Sequence, residues 1–330
     1  MNEIYSRPLV IGIDAGGTRS RARLASAGPD AAVLGRGSGG PGNALSVARA
    51  DLTRHLADAI AGALPADPDE TDVRPRVAAA FGGFAGAALG LGPERGHELA
   101  VSCLHDALAA NGITGAVVGV GGDAQVALAS APGAPPDGLV LIAGTGAIAT
   151  RLTGRRLVAA VDGHGWLLGD EGSGFWLGNR GVRAALEALD GRGPWTALVQ
   201  RVAEHFLGGT AVDASSTALE RHDVAEAIVS SALGHAPARL AALSPVVAAA
   251  AEDGDAVALA LLDTAADLLA ASVRALRPRP GEPLVTSGGL LGPGGPLHSR
   301  VTARLAPLEL RVHPVSDGSP GAAALARALL

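Results

Sequence analysis

The sequence predicts an α/β protein that consists of two related domains. Its 330 residues suggest two domains, because one domain usually takes roughly 100–200 residues. Short apolar runs typical of buried strands alternate with amphipathic helical patterns along the chain. One pattern also occurs twice, at 9–25 and at 139–153: an apolar strand, a turn rich in Gly and Thr, and a second short strand. This repeat indicates two domains of the same type that face each other.

The first half of the chain is expected to begin with a β-hairpin. The apolar run 9–13 indicates a buried strand. Arginines alternate with small or apolar residues over 19–24, which is typical of a strand with one solvent-exposed face. Further on, Leu52, Leu56 and Ile60 share one face of a predicted helix. The remaining elements of this half are a strand at 32–36, this helix over 45–64, a strand at 77–81, a helix over 94–110 and a strand at 116–120.

The second half repeats the hairpin and then becomes mostly helical. A helix over 124–131 precedes the strands at 139–143 and 147–152. The longest predicted helix covers 255–276, where apolar residues recur at steps of three and four. The chain is expected to end with strands at 284–286 and 310–312 and a helix over 320–330.

The composition excludes several kinds of chemistry. The 26 basic residues are all Arg, which rules out a P-loop lysine, a protein-kinase lysine and a Schiff base. The formal net charge of -6 argues against nucleic acid as a partner. Cys103 is the single cysteine, so an internal disulfide or a thiolate zinc site cannot form and a cytoplasmic location is expected. We also expect no signal peptide and no membrane partner, since the longest apolar runs fall far short of the ~20 residues that cross a bilayer.

Two turns rich in Gly and Thr are candidate phosphate-binding loops. Glycine lets backbone N–H groups approach phosphate oxygens closely, and a Thr hydroxyl adds another donor. A single such turn is equally compatible with an ordinary hairpin, but two turns at matching places favour phosphate binding. The first turn contains Gly16, Gly17 and Thr18, followed by Arg19, and the second contains Gly144, Thr145 and Gly146.

Two aspartates follow buried strands at positions suited to phosphoryl transfer. Asp14 ends the first strand and either caps its own turn or holds Mg²⁺ through water. Phosphoryl transfer needs strong charge neutralisation, which favours the magnesium role in a chain without Lys. Asp123 follows the strand at 116–120. It either caps the next helix or acts as a general base that takes a proton from an attacking hydroxyl.

The densest group of polar residues lies at 162–174, before a predicted helix. It combines carboxylates with His164, Trp166 and several glycines. An aromatic ring beside carboxylates suits a sugar, which offers C–H faces and hydroxyl groups. Asp170 and Glu171 could instead favour the N-terminus of the helix that follows.

In chain order, these motifs resemble the N-acetylglucosamine kinase branch of the BadF/BadG/BcrA/BcrD ATPases, within the superfamily of actin, hexokinase and the heat-shock chaperone ATPases. The resemblance covers essentially the whole chain. IDAGGTRS and LIAGTGAIA resemble the two phosphate motifs, GGDAQVAL the catalytic aspartate segment, GPGN the sugar-contacting Asn segment and VTSGGLL the adenosine motif. The most specific match is GHGWLLGDEGSGFWLG.

The resemblance implies an ATP- and Mg²⁺-dependent kinase that converts an amino sugar, here N-acetylglucosamine, to its 6-phosphate. It implies two RNase H-like domains with a cleft between them, the first at 1–122 together with the C-terminal helix at 319–330, and the second at 123–318 with a helical insertion. Asp123 would be the catalytic base, and Asp14 would hold Mg²⁺ through water. The sugar would contact Asn43, Asp123, His164, Gly165, Trp166 and Asp170. ATP would contact Gly16, Gly17, Thr18, Arg19, Gly144, Thr145, Gly146, Gly288 and Gly289.

One departure from the family pattern concerns the sugar. Many members have Gly-Trp-Gly-His where this chain has Gly163-His164-Gly165-Trp166, so His164 is expected to face the acetamido side. Glucosamine and N-acetylmuramic acid remain alternative substrates, and a sugar-sensing ATPase without kinase activity is an alternative function. The iron–sulfur members of the family do not fit a chain with one cysteine. Related kinases are often dimers, which allows for a homodimer here.

Overall fold

The computed structural model describes residues 7–28, 30–65, 72–87 and 96–330 and contains two five-stranded sheets. The strands of the first sheet lie in the order β3-β2-β1-β4-β5, and those of the second in the order β10-β9-β6-β7-β8. The first sheet consists of β1 (Leu9–Ala15), β2 (Ser20–Ser26), β3 (Val33–Gly39), β4 (Val77–Phe84) and β5 (Val117–Gly122). The second consists of β6 (Gly138–Ala143), β7 (Ala147–Thr153), β8 (Arg156–Asp162), β9 (Pro283–Ser287) and β10 (Arg311–Pro314).

The two sheets share one topology, which confirms the predicted internal repeat. In each sheet the first three strands form an antiparallel meander, and the remaining two run parallel to the first strand. The helices are α1 (Arg49–Ala63), α2 (His97–Ala110), α3 (Asp123–Ala129), α4 (Gly174–Leu189), α5 (Leu198–Leu207), α6 (Ala218–Leu233), α7 (Ser244–Glu252), α8 (Ala256–Ala275), α9 (His298–Leu305) and α10 (Ser319–Arg327). We refer to the first sheet with α1 and α2 as the first lobe, and to the second sheet with α4–α9 as the second lobe.

Most predicted elements are present, with two differences in their limits and one omission. The helix predicted over 45–64 begins only at Arg49, because the side chain of Asn43 accepts a hydrogen bond from the Leu45 N–H at 2.8 Å and forms a turn there. The start of the helix predicted over 94–110 lies outside the described residues, and its described part begins at His97. β8 was not predicted from the sequence.

Glycine allows the layers of the first lobe to pack backbone against backbone. A Cβ atom at Gly35, Gly37 or Gly39 of β3 would lie 2.0–2.1 Å from a carbonyl oxygen of α1. On the opposite face of the sheet, a Cβ atom at Gly12 of β1 would lie 2.2 Å from the Ala323 nitrogen of α10. These distances are far below van der Waals contact, so α1 and α10 can pack this closely only because these positions are glycine.

Two helices connect the lobes. α10 packs against β1, β4 and β2, so the end of the chain returns to the first sheet. Val126 of α3 belongs to the apolar cluster that α10 forms with the first sheet, whereas Leu128 packs with Val140 and Val285 of the second sheet. α3 therefore lies between the two sheets and carries Asp123 at its first position.

α8 is long and apolar enough to cross a membrane by length and composition alone. In this structure its apolar side contributes Leu262, Leu269 and Val273 to the core of the second lobe. It also packs against α7, α9 and α4, so this side of the helix contacts other elements of the second lobe.

Candidate active site

The first Gly/Thr turn joins β1 and β2, as predicted. The Gly16 N–H donates to the Arg19 carbonyl at 3.1 Å and closes the turn, which leaves Gly17, Thr18 and Arg19 exposed. Their backbone and hydroxyl donors therefore face outward from the end of β1 and are free to meet phosphate oxygens.

The Asn43 segment is fixed against this turn. The Gly42 N–H donates to the Gly16 carbonyl at 2.8 Å, and the Ala44 N–H donates to the Ala85 carbonyl just beyond β4 at 2.9 Å. Asn43 thus lies near the carboxyl ends of β1 and β4. Its Oδ1 atom holds the local turn, and among the described residues its Nδ2 amide has no hydrogen-bond partner.

Asp14 does not cap its own turn, so that alternative is wrong. Its Oδ2 atom accepts a hydrogen bond from the Gly318 N–H at 2.9 Å, just before α10. Burial raises the pKa of Asp14 to about 6; the Gly318 bond opposes the rise, the charges of Asp123 and Asp317 add to it, and Arg21 opposes it. Asp14 and Asp123 are therefore close enough to repel each other.

Asp123 is the first residue of α3, and Gly122 occupies the N-cap position. The expectation that Asp123 itself caps the helix is thus wrong, although its Oδ1 accepts a hydrogen bond from the Ala124 N–H at 2.8 Å. Burial raises the pKa of Asp123, and its backbone hydrogen bonds only partly offset this. A partly buried carboxylate with a raised pKa is a better proton acceptor than an exposed one.

The second Gly/Thr turn joins β6 and β7 and accepts hydrogen bonds from the N-terminus of α4. The Gly144 N–H donates to the Gly146 carbonyl at 2.9 Å. The N–H groups of Gly174 and Phe175 donate to the carbonyls of Gly144 and Thr145 at 2.7 and 3.1 Å. The N-terminus of α4 thereby fixes the turn, and the predicted start of this helix near residue 173 is confirmed by the Ser173 cap.

Asp170 approaches the second turn from the segment between β8 and α4. Its Oδ1 accepts a hydrogen bond from the Ala147 N–H at 3.2 Å, and burial raises its pKa. Asp162 orients this segment, because its two carboxylate oxygens accept the N–H groups of Asp170 and Glu171, each at 2.8 Å. The Glu171 side chain is exposed. Asp170 therefore faces the second turn rather than the end of α4.

The remaining predicted sugar contacts lie on an exposed loop. His164 is exposed, and Trp166 is 44% exposed with its ring centroid 5.7 Å from that of Phe175. Leu167 and Leu168 are 71% and 79% exposed. This part of the chain presents aromatic and apolar side chains to solvent, which is unusual for a structural loop.

Gly288 and Gly289 follow β9 beside the second turn. The Leu290 N–H donates to the Ala143 carbonyl at 3.2 Å, and a Cβ atom at Gly288 would lie 2.2 Å from that same oxygen. Gly288 also has a φ of +96°, a conformation that favours glycine. The backbone of this segment therefore lies directly against the second Gly/Thr turn.

The predicted site residues form two groups, one on each lobe. Asp14, the first turn, Asn43 and Asp123 lie at the carboxyl ends of first-sheet strands, and the second turn, Asp170 and Gly288-Gly289 form the other group. No hydrogen bond joins Asp123 to Asn43 or Asp170 within the part of the chain that the structure describes. Asp317 and Gly318 were not predicted, because their only local signal is a turn-rich SDGSPG segment.

Two detected cavities lie away from these groups. The larger, about 500 Å³, is lined by Arg151, Arg277 and Glu282 near the start of β6 and β9, at the opposite end of the second sheet from its Gly/Thr turn. Among the described residues, no group of three or more His, Cys, Asp or Glu side chains is spaced to hold a metal ion.

Two duplicated sheets of this topology, each with a Gly/Thr turn after its first strand, define the fold of actin-like ATPases and sugar kinases. The match to the family model for the BadF/BadG/BcrA/BcrD ATPase family covers residues 11–326. The chain belongs to this family.

Named relatives agree with that membership. The chain is 30% identical over 189 residues to an N-acetylmuramic acid/N-acetylglucosamine kinase of Clostridium acetobutylicum, covering 57% of each chain. It is 40% identical over 82 residues to an N-acetyl-D-glucosamine kinase of Dictyostelium discoideum, covering 25% of this chain and 26% of that one. The match therefore spans a little over half of the length of the first relative and about a quarter of the length of the second.

Solved structures match over nearly the whole chain. A candidate N-acetylglucosamine kinase from Chromobacterium violaceum is 27% identical, with a TM-score of 0.70 and coverage of 97% of this chain and 99% of that one. A ROK family glucokinase from Streptomyces griseus, at 20% identity and a TM-score of 0.58, covers 97% of this chain and 99% of that one and shares the fold.

Proposed function

We propose that the protein is an ATP-dependent kinase that phosphorylates the 6-hydroxyl of an amino sugar, with N-acetylglucosamine as the first candidate substrate. The observation that carries this proposal is the pair of carboxylates at the carboxyl ends of β1 and β5. Burial raises the pKa of Asp14 and the nearby charge of Asp123 adds to this rise, and only Ala15 separates Asp14 from the first Gly/Thr turn. One acid is thereby placed for charge neutralisation at phosphates and the other for proton transfer.

Asp123 would act as the general base. Its carboxylate would take the proton of the sugar hydroxyl while that oxygen attacks the γ-phosphorus of ATP and ADP departs. Its raised pKa strengthens it as a proton acceptor. Asp123 is the first residue of α3, and the packing of α3 between the two sheets supports this role.

Asp14 fits a water-mediated Mg²⁺ contact. Gly318 holds its Oδ2 atom, and within the described residues its Oδ1 has no hydrogen-bond partner. Mg²⁺ would neutralise charge on the phosphates, and the two Gly/Thr turns would donate backbone and hydroxyl hydrogens to them.

We assign sugar binding to Asn43, Asp170 and the loop with His164, Gly165 and Trp166. The Nδ2 of Asn43 offers a free donor, and Asp170 offers an acceptor beside the second turn. The exposed Trp166 ring suits the apolar face of a sugar. The Gly288-Gly289 backbone would lie against the adenine.

The proposed domains are 1–122 with 319–330, and 123–318. Contact of α10 with β1 and β4 supports the first grouping. A cytoplasmic location stays a prediction, as does the homodimer that the family resemblance allows.

N-acetylmuramic acid is a second candidate substrate, because the Clostridium acetobutylicum relative is named for both sugars. A coupled ADP-release assay with N-acetylglucosamine, N-acetylmuramic acid and glucosamine would rank the three. ADP release without a phosphosugar by mass spectrometry would instead indicate a sugar-sensing ATPase.

The test of the mechanism is Asp123→Asn. The amide keeps the shape and cannot accept the proton, so kcat should fall roughly 10²–10⁴-fold with little change in KM. Asp223→Asn removes an exposed carboxylate of α6 and should leave both constants unchanged. Near-normal turnover in Asp123→Asn would contradict the assigned base.

A further inference from the structure

Four arginines gather on one face of the first sheet, beside α10. They are Arg21 and Arg23 of β2, Arg36 of β3 and Arg327 of α10, and we refer to them as the arginine cluster. The strand register places Arg23 directly opposite both Gly12 and Arg36. Gly12 lies under α10, so the side chains of Arg23 and Arg36 share the face that α10 packs on.

α10 covers only part of this face. It packs against β1, β4 and β2, and Arg36 and Ser38 of β3 are exposed on the uncovered part. The Arg23 Nε donates to the Ser319 hydroxyl at the start of α10 at 3.4 Å, and Arg327 reaches the Ser26 carbonyl at 3.5 Å near the other end. Guanidinium groups thus border the open surface on more than one side.

Among the described residues, the arginines of the cluster have no carboxylate partner of the kind that other arginines of this protein have. Arg151 pairs with Glu282 and Arg300 pairs with Asp263, but no arginine of the cluster forms an ion pair with any residue that the structure describes. Burial, together with the charges of Arg36 and Arg327, holds the pKa of Arg23 below its usual range, and among the described residues Asp317 opposes this shift. Asp14 lies opposite Arg21.

Like charges directly opposite each other destabilise a sheet. Arg23 and Arg36 occupy such a pair, with side-chain origins about 4.5–5.5 Å apart. Two arginines at directly opposite positions of a strand pair can both direct N–H donors to the oxygens of one tetrahedral anion. The negative net charge of the chain makes nucleic acid a poor alternative.

We propose that Arg23, Arg36 and Arg327 of the arginine cluster hold a phosphate monoester at a site separate from the nucleotide site. Arg21 lies opposite Asp14 and is not part of this site. Ser319, which Arg23 contacts, is next to Gly318, whose N–H holds Asp14, so an occupied cluster would act on Asp14 through the start of α10. The binding claim does not rest on the proposed kinase activity.

The experiment is calorimetric titration of the whole protein with N-acetylglucosamine 6-phosphate and with inorganic phosphate. A saturating non-hydrolysable ATP analogue with EDTA occupies the nucleotide site without turnover. We expect both ligands to bind, since they share the recognised group. Arg36→Gln should weaken binding at least about tenfold, as expected for loss of one charge-assisted hydrogen bond. Arg36→Lys should weaken it less, and Arg183→Gln, an exposed arginine of α4, should not change it.

Binding that disappears when the analogue is present, or that Arg36→Gln does not alter, would overturn the proposal. Binding of a single-stranded oligonucleotide at the cluster without binding of either phosphate probe would replace it with a nucleic-acid surface. ¹⁵N NMR of the arginine side chains in the wild-type protein gives a test that needs no variant. Absence of any Nε–H shift on addition of either probe would also overturn it.

Discussion

Asp14→Asn should stabilise the protein while it removes activity. Burial raises the pKa of Asp14 from 3.8 to about 6, so ionisation of this group opposes folding. At about 1.36 kcal/mol per pKa unit, the penalty is about 3 kcal/mol at pH 8. Asparagine keeps an oxygen that can accept the Gly318 N–H and carries no charge, so the substitution relieves this penalty.

The gain must depend on pH in a defined direction. A raised carboxyl pKa means that the folded state holds its proton longer than the unfolded chain does. The penalty is therefore absent below pH 3.8, is about 1.6 kcal/mol at pH 5, and is complete above pH 6. Asp14→Asn should exceed the wild type by most at pH 8 and by about half as much at pH 5.

The assay is urea denaturation in EDTA at both pH values, followed by far-UV circular dichroism and by hydrogen exchange of the β1 amides. Fluorescence is less suitable, because Trp166, Trp176 and Trp195 all lie in the second lobe. Asp58→Asn removes an exposed carboxylate of α1 and serves as the control. Equal or lower stability of Asp14→Asn at pH 8, or a gain that does not shrink at pH 5, would refute the reasoning.

Two further substitutions separate binding from stability. Gly146→Ala would place a Cβ atom 2.8 Å from the Asp170 Oδ2 atom, so the sugar KM in steady-state kinetics should rise about tenfold, or by about 1.4 kcal/mol. A Cβ atom at Gly144 meets nothing within 4 Å, so Gly144→Ala should change the ATP KM alone. An unchanged sugar KM in Gly146→Ala would contradict the placement of Asp170. Ser173→Ala removes the side chain that caps α4, so it should lower the free energy of unfolding by about 1 kcal/mol and also reduce kcat/KM. Thr217→Ala removes the cap of α6 and should lower stability alone. Equal activity in the two variants would argue against a link between α4 and the second turn.

The sequence predicted the strands and turns well because their signals are local. The apolar runs that become β1 and β6 end in Gly/Thr turns that need no knowledge of distant residues. β8 was missed because its alternating pattern is short and lies next to the polar segment that starts at residue 162. The Asn43 turn also escaped prediction, since the helical pattern after it extends back through Leu45.

The site could be predicted only as separate pieces. Asp14 and Gly318 are 304 positions apart, and nothing near Gly318 indicates which carboxylate it would hold. Likewise, the alternating arginines at 19–24 predicted a wet strand face. That Arg36 would lie directly opposite Arg23 depends on strand register, and that Arg327 would lie close to them depends on the return of α10.

The glycines of β3 restrict how this protein can change. At Gly35, Gly37 and Gly39 even a methyl group would overlap the α1 backbone, so a library of random variants should be depleted of every replacement there. The loop that carries His164 and Trp166 has no such constraint on its exposed side chains. New sugar preferences, in nature or in the laboratory, should therefore arise by substitutions in that loop, while the packing of β3 against α1 stays fixed.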